Sequence, residues 1–221
     1  MEARSYVFPE DISQQEFEEK FRAINQDPQI DGILLFRPLP AQIDGRLPER
    51  LIDPKKDLDG ISPINSAKIF AGEEDGFAPC TAEAVMEILK GYEIPLEGKR
   101  AVIVGRSMVV GRPLAMLLLK ANATVTVCHT RTKDLKAVCR EADILVAAAG
   151  KAGMITAEFA APGAVVIDVG INVDENGKLC GDVKWEGIEE VASAATPVPG
   201  GVGSVTTAVL AKHLCQAAQR K

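Results

Sequence analysis

Residues 104–113 read VGRSMVVGRP, between an apolar stretch, RAVIVG, and a leucine-rich one, PLAMLLLKA. Residues of these types could hold a phosphate. A pyrophosphate needs backbone N–H groups at a helix N-terminus with no side chain in the way. Gly105 can end a strand in a tight turn, and Gly111 can let the following helix approach the sheet closely. Ser107 can donate to a phosphate oxygen, and Pro113 suits a first helical turn. The glycines are spaced GxxxxxG, not the GxGxxG of the usual dinucleotide fingerprint. On that spacing alone the stretch also reads as a strand–helix connection whose glycines serve packing only.

The next strand narrows the ligand. Sites that prefer NAD place an acid at its end, about 20 residues on, to hold the ribose 2′-hydroxyl. Here that strand ends Cys128-His129-Thr130-Arg131-Thr132, with no acid. Arg106 and Arg131 supply positive charge where a 2′-phosphate would sit, and Thr130 supplies a hydroxyl. The pattern favours NADP, against the plainer reading of two solvated arginines.

Two further stretches carry candidate chemistry. TPVPGGVGSVT, residues 196–206, packs prolines and glycines into a rigid turn where a flat ligand could lie on bare peptide groups. Its plainer reading is an interdomain connection. KDLDGISPIN carries Asp59. A buried carboxylate is costly unless satisfied, and an aminopyrimidinone edge with two adjacent N–H donors would satisfy it bidentately. Otherwise Asp59 is the first residue of an Asp-Gly turn.

Several motifs fail on their own terms. Gly98-Lys99 lacks both the preceding glycine and the following Ser or Thr of a phosphate-binding P-loop. NVDENG resembles the start of a calcium loop, but its twelfth position is Val183 and not a bidentate Glu. Asn176-Gly177 reads better as a hairpin turn. His129 and His213 have no triad partner in view and read as surface or supporting residues. No metal site is expected.

The elements that must position these residues follow from periodicity. From Lys99 onward, RAVIVG, TVTVCH, DILVAAAG and AVVIDVG alternate with the helical patterns RPLAMLLLKA and KDLKAVCREA. Such alternation implies parallel strands joined by right-handed crossovers. Strands covered by helices on both faces should be apolar throughout, with the ligand crevice at their carboxyl ends. A last helix is expected over TTAVLAKHLCQAAQ. Before Lys99, the pattern predicts a helix over residues 13–25 with Ser13 and Glu16 as a capping box. It also predicts a buried strand at IDGILLF, loops over residues 41–65, and a helix after Pro79 with Thr81 near its cap, ended by Gly91 and Pro95.

Composition excludes several classes. The 221 residues are 47% apolar and 25% charged, with net charge −6, unlike the basic footprint of a nucleic-acid binder. No apolar run reaches the roughly 18 residues of a membrane span. The start, MEARSYVFPED, does not read as a signal peptide. Five scattered cysteines without a CxxC pair read as reduced thiols of a cytoplasmic protein.

The ordered set DGILLFRPLP, KDLDGISPIN, PCTAEAV, VVGRSMVVGRPLAMLL, TVTVCHTRT, ADILVAAAGKAG, VVIDVGIN and TPVPGGVGSVT resembles the methylenetetrahydrofolate dehydrogenase/methenyltetrahydrofolate cyclohydrolase (FolD) family. The resemblance covers essentially the whole chain. It implies an α/β fold, with a doubly wound parallel-sheet Rossmann-type NADP domain and an incomplete α/β N-terminal folate domain. The implied division is 1–92 for the folate domain, 93–196 for the NADP domain, and 197–221 for the PVPGGVG loop and a helix returning to the folate domain. It implies NADP-linked oxidation of 5,10-methylenetetrahydrofolate, hydrolysis of the methenyl product, and a homodimer. By position, Gly105, Arg106, Ser107, Gly111, Thr130, Arg131 and Ile171 would line the NADP site. Asp59 would hold the pterin, and Pro199, Gly200 and Gly201 would floor the folate pocket.

The sequence departs from the family pattern in places. The family's catalytic lysine lies in a YVxxK-type helix upstream of the segment matching MEARSYVFPED, so the folate domain is expected to be incomplete. Hydrolysis, which needs acid–base groups, is expected to suffer more than hydride transfer, which needs mostly positioning. Lys56 is not that lysine. Phe36 stands in the folate-binding region where the family has glutamine, followed by Arg37, and Ala82 and Ser204 replace family prolines. A non-catalytic NADP-binding remnant and another two-domain NADP dehydrogenase remain as alternatives at this point.

Overall fold

The computed structural model describes residues 2–220. In chain order the elements are α1 (Gln14–Gln26), α2 (Arg46–Leu51), α3 (Pro63–Ala71), α4 (Cys80–Gly91), β1 (Arg100–Val104), α5 (Gly111–Lys120), β2 (Thr124–Cys128), α6 (Leu135–Cys139), β3 (Ile144–Ala147), β4 (Val165–Asp168), β5 (Asn172–Val173), β6 (Leu179–Cys180), α7 (Ile188–Val191), β7 (Ala194–Ala195) and α8 (Val202–Gln219).

Strands β2-β1-β3-β4-β7, in that order, form one parallel sheet. The chain runs from β1 outward to β2, then crosses back to β3 on the other side of β1. This makes a topological switch point between β1 and β3, where an open α/β sheet binds ligands. Alternate residues serve opposite faces. Ala101, Ile103, Ile144, Val146, Val165 and Ile167 pack with α4, α5 and α8 on one side. Val102, Val104, Leu145, Ala147 and Val166 pack with Cys139, Ile155 and Ile188 on the other. Two covered faces explain the uninterrupted apolar runs of the inner strands. β2 departs from that expectation. It is the sheet edge, its two threonines are exposed, and Val127 is 37% exposed.

Before the sheet, α1 forms as its pattern predicts. The Ser13 hydroxyl accepts from the Glu16 N–H, and Phe17 and Phe21 are buried beside Ile33, Ile43 and Ile52. Only half of the capping box is made, because the Glu16 carboxylate pairs with Lys20 at 3.5 Å. IDGILLF is not a strand. It is extended, with one bridge between Ile33 and Asp57, where Ile33 N–H donates to Lys56 O (2.6 Å) and Leu58 N–H to Ile33 O (3.3 Å). A ladder needs a partner longer than the 56–58 loop. The expected loop 41–65 contains α2 and the start of α3. Ser62 caps α3, Pro63 opens it and Gly72 closes it in a left-handed conformation (φ +74°). α4 starts where expected, though Thr81 does not cap it. β5 and β6 form the expected hairpin. Its turn is a three-residue loop with Gly177 at φ +77°, and the Asp174 carboxylate accepts from Asn176 and Lys178 N–H. β7 is too short to leave a pattern in the sequence. Among the described residues no helix is long and apolar enough to cross a membrane.

Candidate functional site

The switch point lies at the carboxyl ends of β1 and β3, with β4 next in the sheet, and it is there that an open α/β sheet places its ligand crevice. Gly105 leaves β1 at φ +136°, and a Cβ there would lie 2.1 Å from the Ala148 carbonyl oxygen at the end of β3. A Cβ on Gly111, the first residue of α5, would lie 2.1 Å from the Gly105 carbonyl oxygen. Any side chain at either position would push the loop open. The glycines thus press residues 105–111 against the switch point and leave a bare backbone cradle at the N-terminus of α5, which is what a pyrophosphate needs. Gly105 N–H donates to Cys128 O (2.9 Å), so the loop abuts the end of β2. The Ser107 hydroxyl accepts from Val110 N–H (3.0 Å) and keeps its own proton to donate.

Past β2, His129 N–H donates to the Thr132 hydroxyl (2.9 Å) and Arg131 N–H to His129 Nδ1 (3.1 Å). His129 is therefore spent on shaping a turn. That turn leaves Thr130 and Arg131 exposed, as Arg106 is on the neighbouring loop. Gly105, Arg106, Ser107, Gly111, Thr130 and Arg131 therefore share one rim. Ile171 lies beyond β4, two strands away, and is 71% exposed.

The KDLDG loop is arranged differently from the simplest reading. Its deeply buried carboxylate is Asp57, which accepts from Ile61 N–H, Ser62 N–H and Asn65 Nδ2 at 2.8–3.0 Å. Asp59 is half-buried, and its Oδ1 accepts from Cys80 N–H (2.9 Å) at the start of α4. Asp59 thus supplies the cap that Thr81 does not. Gly60 (φ +60°) presses on Phe77 O, where a Cβ would lie 2.5 Å away. Lys56 closes α1, its ammonium donating to Asn25 O and Asp27 O at 2.7 Å each.

Of the two readings open for His213, surface or supporting, the structure has the second: it is 1% exposed. Its Nδ1 faces Leu58 O and its Nε2 faces Glu83 Oε2, both at 2.8 Å. Lys212 donates to Glu83 and Glu87. Burial opposes ionisation of Glu83, but its bonds from His213 and Lys212 outweigh that and bring its carboxyl down to about 2. Burial, with the Asp59 carboxylate beside it, pushes the Cys80 thiol well above the ordinary thiol range. α8 therefore fastens the backbone next to Asp59. The turn containing Pro199, Gly200 and Gly201 leads into the other end of that helix. Gly201 and His213 are separated by roughly 18 Å along α8 at 1.5 Å per residue. The described contacts do not bring Pro199–Gly201 to Asp59, and a ligand touching both must be extended. Phe36 is 82% exposed, and its neighbour Arg37 pairs with Glu49 at 3.3 Å.

Two carboxylates behind the crevice escaped the sequence reading. Asp168, 4% exposed at the end of β4, accepts from the N–H groups of Gly170, Asp182 and Val183 at 2.9–3.0 Å. Burial pushes its carboxyl upward in spite of those donors. Asp182, 0% exposed, accepts from the N–H groups of Ala149, Gly150 and Lys151 at 2.6–2.9 Å and from Asn172 Nδ2 at 2.9 Å. Their signal was the adjoining glycines. A Cβ on Gly170 would meet Asp182 and one on Gly181 would meet Asp168.

Two family models match the chain. One, the NAD(P)-binding domain of tetrahydrofolate dehydrogenase/cyclohydrolase, covers residues 79–221, and the other, the catalytic domain, covers residues 1–59. The chain is 58% identical over 210 residues to the bifunctional protein FolD of Alkaliphilus oremlandii (strain OhILAs), spanning 95% of this chain and 74% of that one. It is 54% identical over 221 residues to that of Carboxydothermus hydrogenoformans (strain ATCC BAA-161 / DSM 6008 / Z-2901), spanning 99% and 77%. The crystal structure of bifunctional FolD from Campylobacter jejuni matches with a TM-score of 0.93 at 46% identity, over 96% of this chain and 76% of that one. The Trypanosoma brucei dehydrogenase-cyclohydrolase, complexed with NADP cofactor and inhibitor, matches with a TM-score of 0.90 at 37% identity, over 96% and 74%.

Proposed function

Because the chain belongs to the tetrahydrofolate dehydrogenase/cyclohydrolase family, we propose that the crevice at β1, β3 and β4 is the NADP site of that reaction, with Asp59 and the Pro199–Gly201 turn on the folate side. The protein is an NADP-dependent 5,10-methylenetetrahydrofolate dehydrogenase of one-carbon metabolism, and methenyltetrahydrofolate cyclohydrolase is the family's second activity. The non-catalytic alternative is not favoured, since matches run over both domains.

The observation that carries the site reading is the glycine cradle. Both glycines sit where a Cβ would collide with backbone, at the switch point and at a helix N-terminus. When bound there, NADP accepts the hydride. The chain's own groups then divide the work. Backbone N–H groups of residues 106–109 and 111 and the Ser107 hydroxyl receive the pyrophosphate, while those of Gly105 and Val110 hold the loop's own shape. Arg106, Arg131 and Thr130 receive the 2′-phosphate, and exposed Ile171 offers an apolar face beyond β4. Asp59, already anchored through Oδ1, presents Oδ2 to the pterin, and Phe36 and the Pro199–Gly201 turn bound the folate.

The proposed division is a folate domain over 1–92, an NADP domain over 93–196, and a returning segment over 197–221. Supporting it, the Ile33 cluster packs apart from the sheet, while α8 reaches back to Leu58. A cytoplasmic location belongs to the same reading. It is supported by five unpaired cysteines and is checked by cell fractionation.

The test is an absorbance assay of methenyl formation from the methylene substrate with NADP and with NAD. One charge-assisted phosphate contact is worth roughly 1.5–3 kcal/mol, so NADP should be favoured by about tenfold to a hundredfold. Arg106→Ala should erase much of that preference. Equal use of both cofactors by the parent, or an unchanged preference in the variant, would reject the site assignment.

A further inference from the structure

Behind the crevice, three consecutive backbone N–H groups, those of Ala149, Gly150 and Lys151, converge on one side chain. That side chain is Asp182, which is fully buried. Its fourth donor is Asn172 Nδ2, from the residue after Ile171. Asp182 itself is fixed, because its N–H donates to Asp168 Oδ1 (3.0 Å). Asp168 N–H in turn donates to the Thr196 hydroxyl (2.8 Å), at the head of the PVPGGVG turn. One carboxylate thus joins the loop after β3 to the segment after β4.

These are the two segments on the far side of the switch point from Arg106, Thr130 and Arg131. A dinucleotide lying across a doubly wound sheet places one mononucleotide on each side of that point. The 2′-phosphate end belongs with the arginines, so the nicotinamide end belongs with residues 148–151 and 171–172. We propose that Asp182 is a positioning residue for hydride transfer. It fixes the loop walls that receive the nicotinamide half of NADP, and it touches neither cofactor nor substrate.

The inference rests on reading the crevice as the NADP site, so its test separates the two halves of the cofactor. Titration calorimetry would compare NADP⁺ with 2′,5′-ADP, which carries only the adenine half. In Asp182→Asn an NH₂ group replaces one acceptor oxygen and faces N–H donors. NADP⁺ binding should weaken by about tenfold while 2′,5′-ADP binding stays within about twofold. Asn172→Ala, which removes one of the four donors and leaves the carboxylate in place, should shift NADP⁺ alone by about threefold. It serves as the independent check should Asp182→Asn fold poorly. Equal losses for both ligands would show that Asp182 merely holds the domain together and would overturn the proposal. Unchanged NADP⁺ binding in both variants would overturn it as well. A parent protein that binds 2′,5′-ADP no better than 5′-AMP would instead reject the underlying NADP reading, and the positioning role with it.

Discussion

Asp59 caps α4 with one oxygen and is proposed to hold the pterin with the other, and substitutions can separate the two roles. Oδ1 caps α4 through Cys80 N–H, and Oδ2 is the atom proposed for the pterin. Asn keeps an acceptor oxygen for the cap and loses the charge. Asp59→Asn should therefore melt near the parent temperature yet bind a folate analogue at least about tenfold more weakly, since a charge-assisted bond to a ligand is worth roughly 1.5–3 kcal/mol. Asp59→Ala should lose the cap too, costing about 1 kcal/mol of stability. A folate titration of the Asn variant that overlays the parent would reject the pterin role. Residues whose work is local were readable from the chain. Gly111 is constrained within its own loop, by Gly105 O, and Gly105 was readable as the turn that ends a strand although the backbone that crowds it, at Ala148, comes from another loop. Asp182 and His213 were not readable, because their partners lie 10–33 and 130–155 positions away. Only the folded chain brings an acceptor to those donors.

At the scale of elements, α4 and α8 are held by a network around buried His213 that reaches the surface at Lys212. His213 and Lys212 both meet Glu83, and Phe77 stacks obliquely on the His213 ring at 5.0 Å while Arg220 lies over its ring at 4.2 Å. The Glu83 carboxyl titrates at about 2 in the fold against an ordinary value of 4.5. A depressed carboxylate contributes stability that is present above its unfolded value and lost as pH falls through the folded one. The Glu83 contribution should therefore fade between 4.5 and about 2. The measurement is melting temperature against pH for the parent and for Glu83→Gln. The gap between them should be widest near neutrality and narrow as the medium is acidified through that window. A gap independent of pH would mean that Glu83 acts by packing and not by charge. Element type was legible wherever a segment has neighbours on both faces, as in β1, β3 and β4. It misled at IDGILLF, whose apolar run lacks a ladder partner of matching length. It also missed α3, whose Ser62, Pro63 and Gly72 signals were outweighed by the turn residues around Asp59.

The main sheet has two edge strands, β2 and the two-residue β7, and the longer of them is β2. Among the described residues β2 has a partner only on the β1 side, and Val127 is part of its exposed surface. Unpaired edges recruit other strands unless covered. Together with the family resemblance, this supports a homodimer, and light scattering of the purified chain should give the mass of two copies. A monomer at working concentration would remove that proposal. The molecule as a whole was legible as a doubly wound sheet because its topology follows from alternating elements and the hand of their connections. What the sequence left open was how firmly the loops above the sheet are held. Residues 149–151 lie among exposed side chains, yet all three backbone donors are satisfied from beneath by a carboxylate closed to water. Freezing the backbone of one residue costs roughly 1–2 kcal/mol of conformational entropy. In this loop three hydrogen bonds already exact that cost when the chain folds, so the cofactor proposed to settle against it would meet a wall ordered in advance.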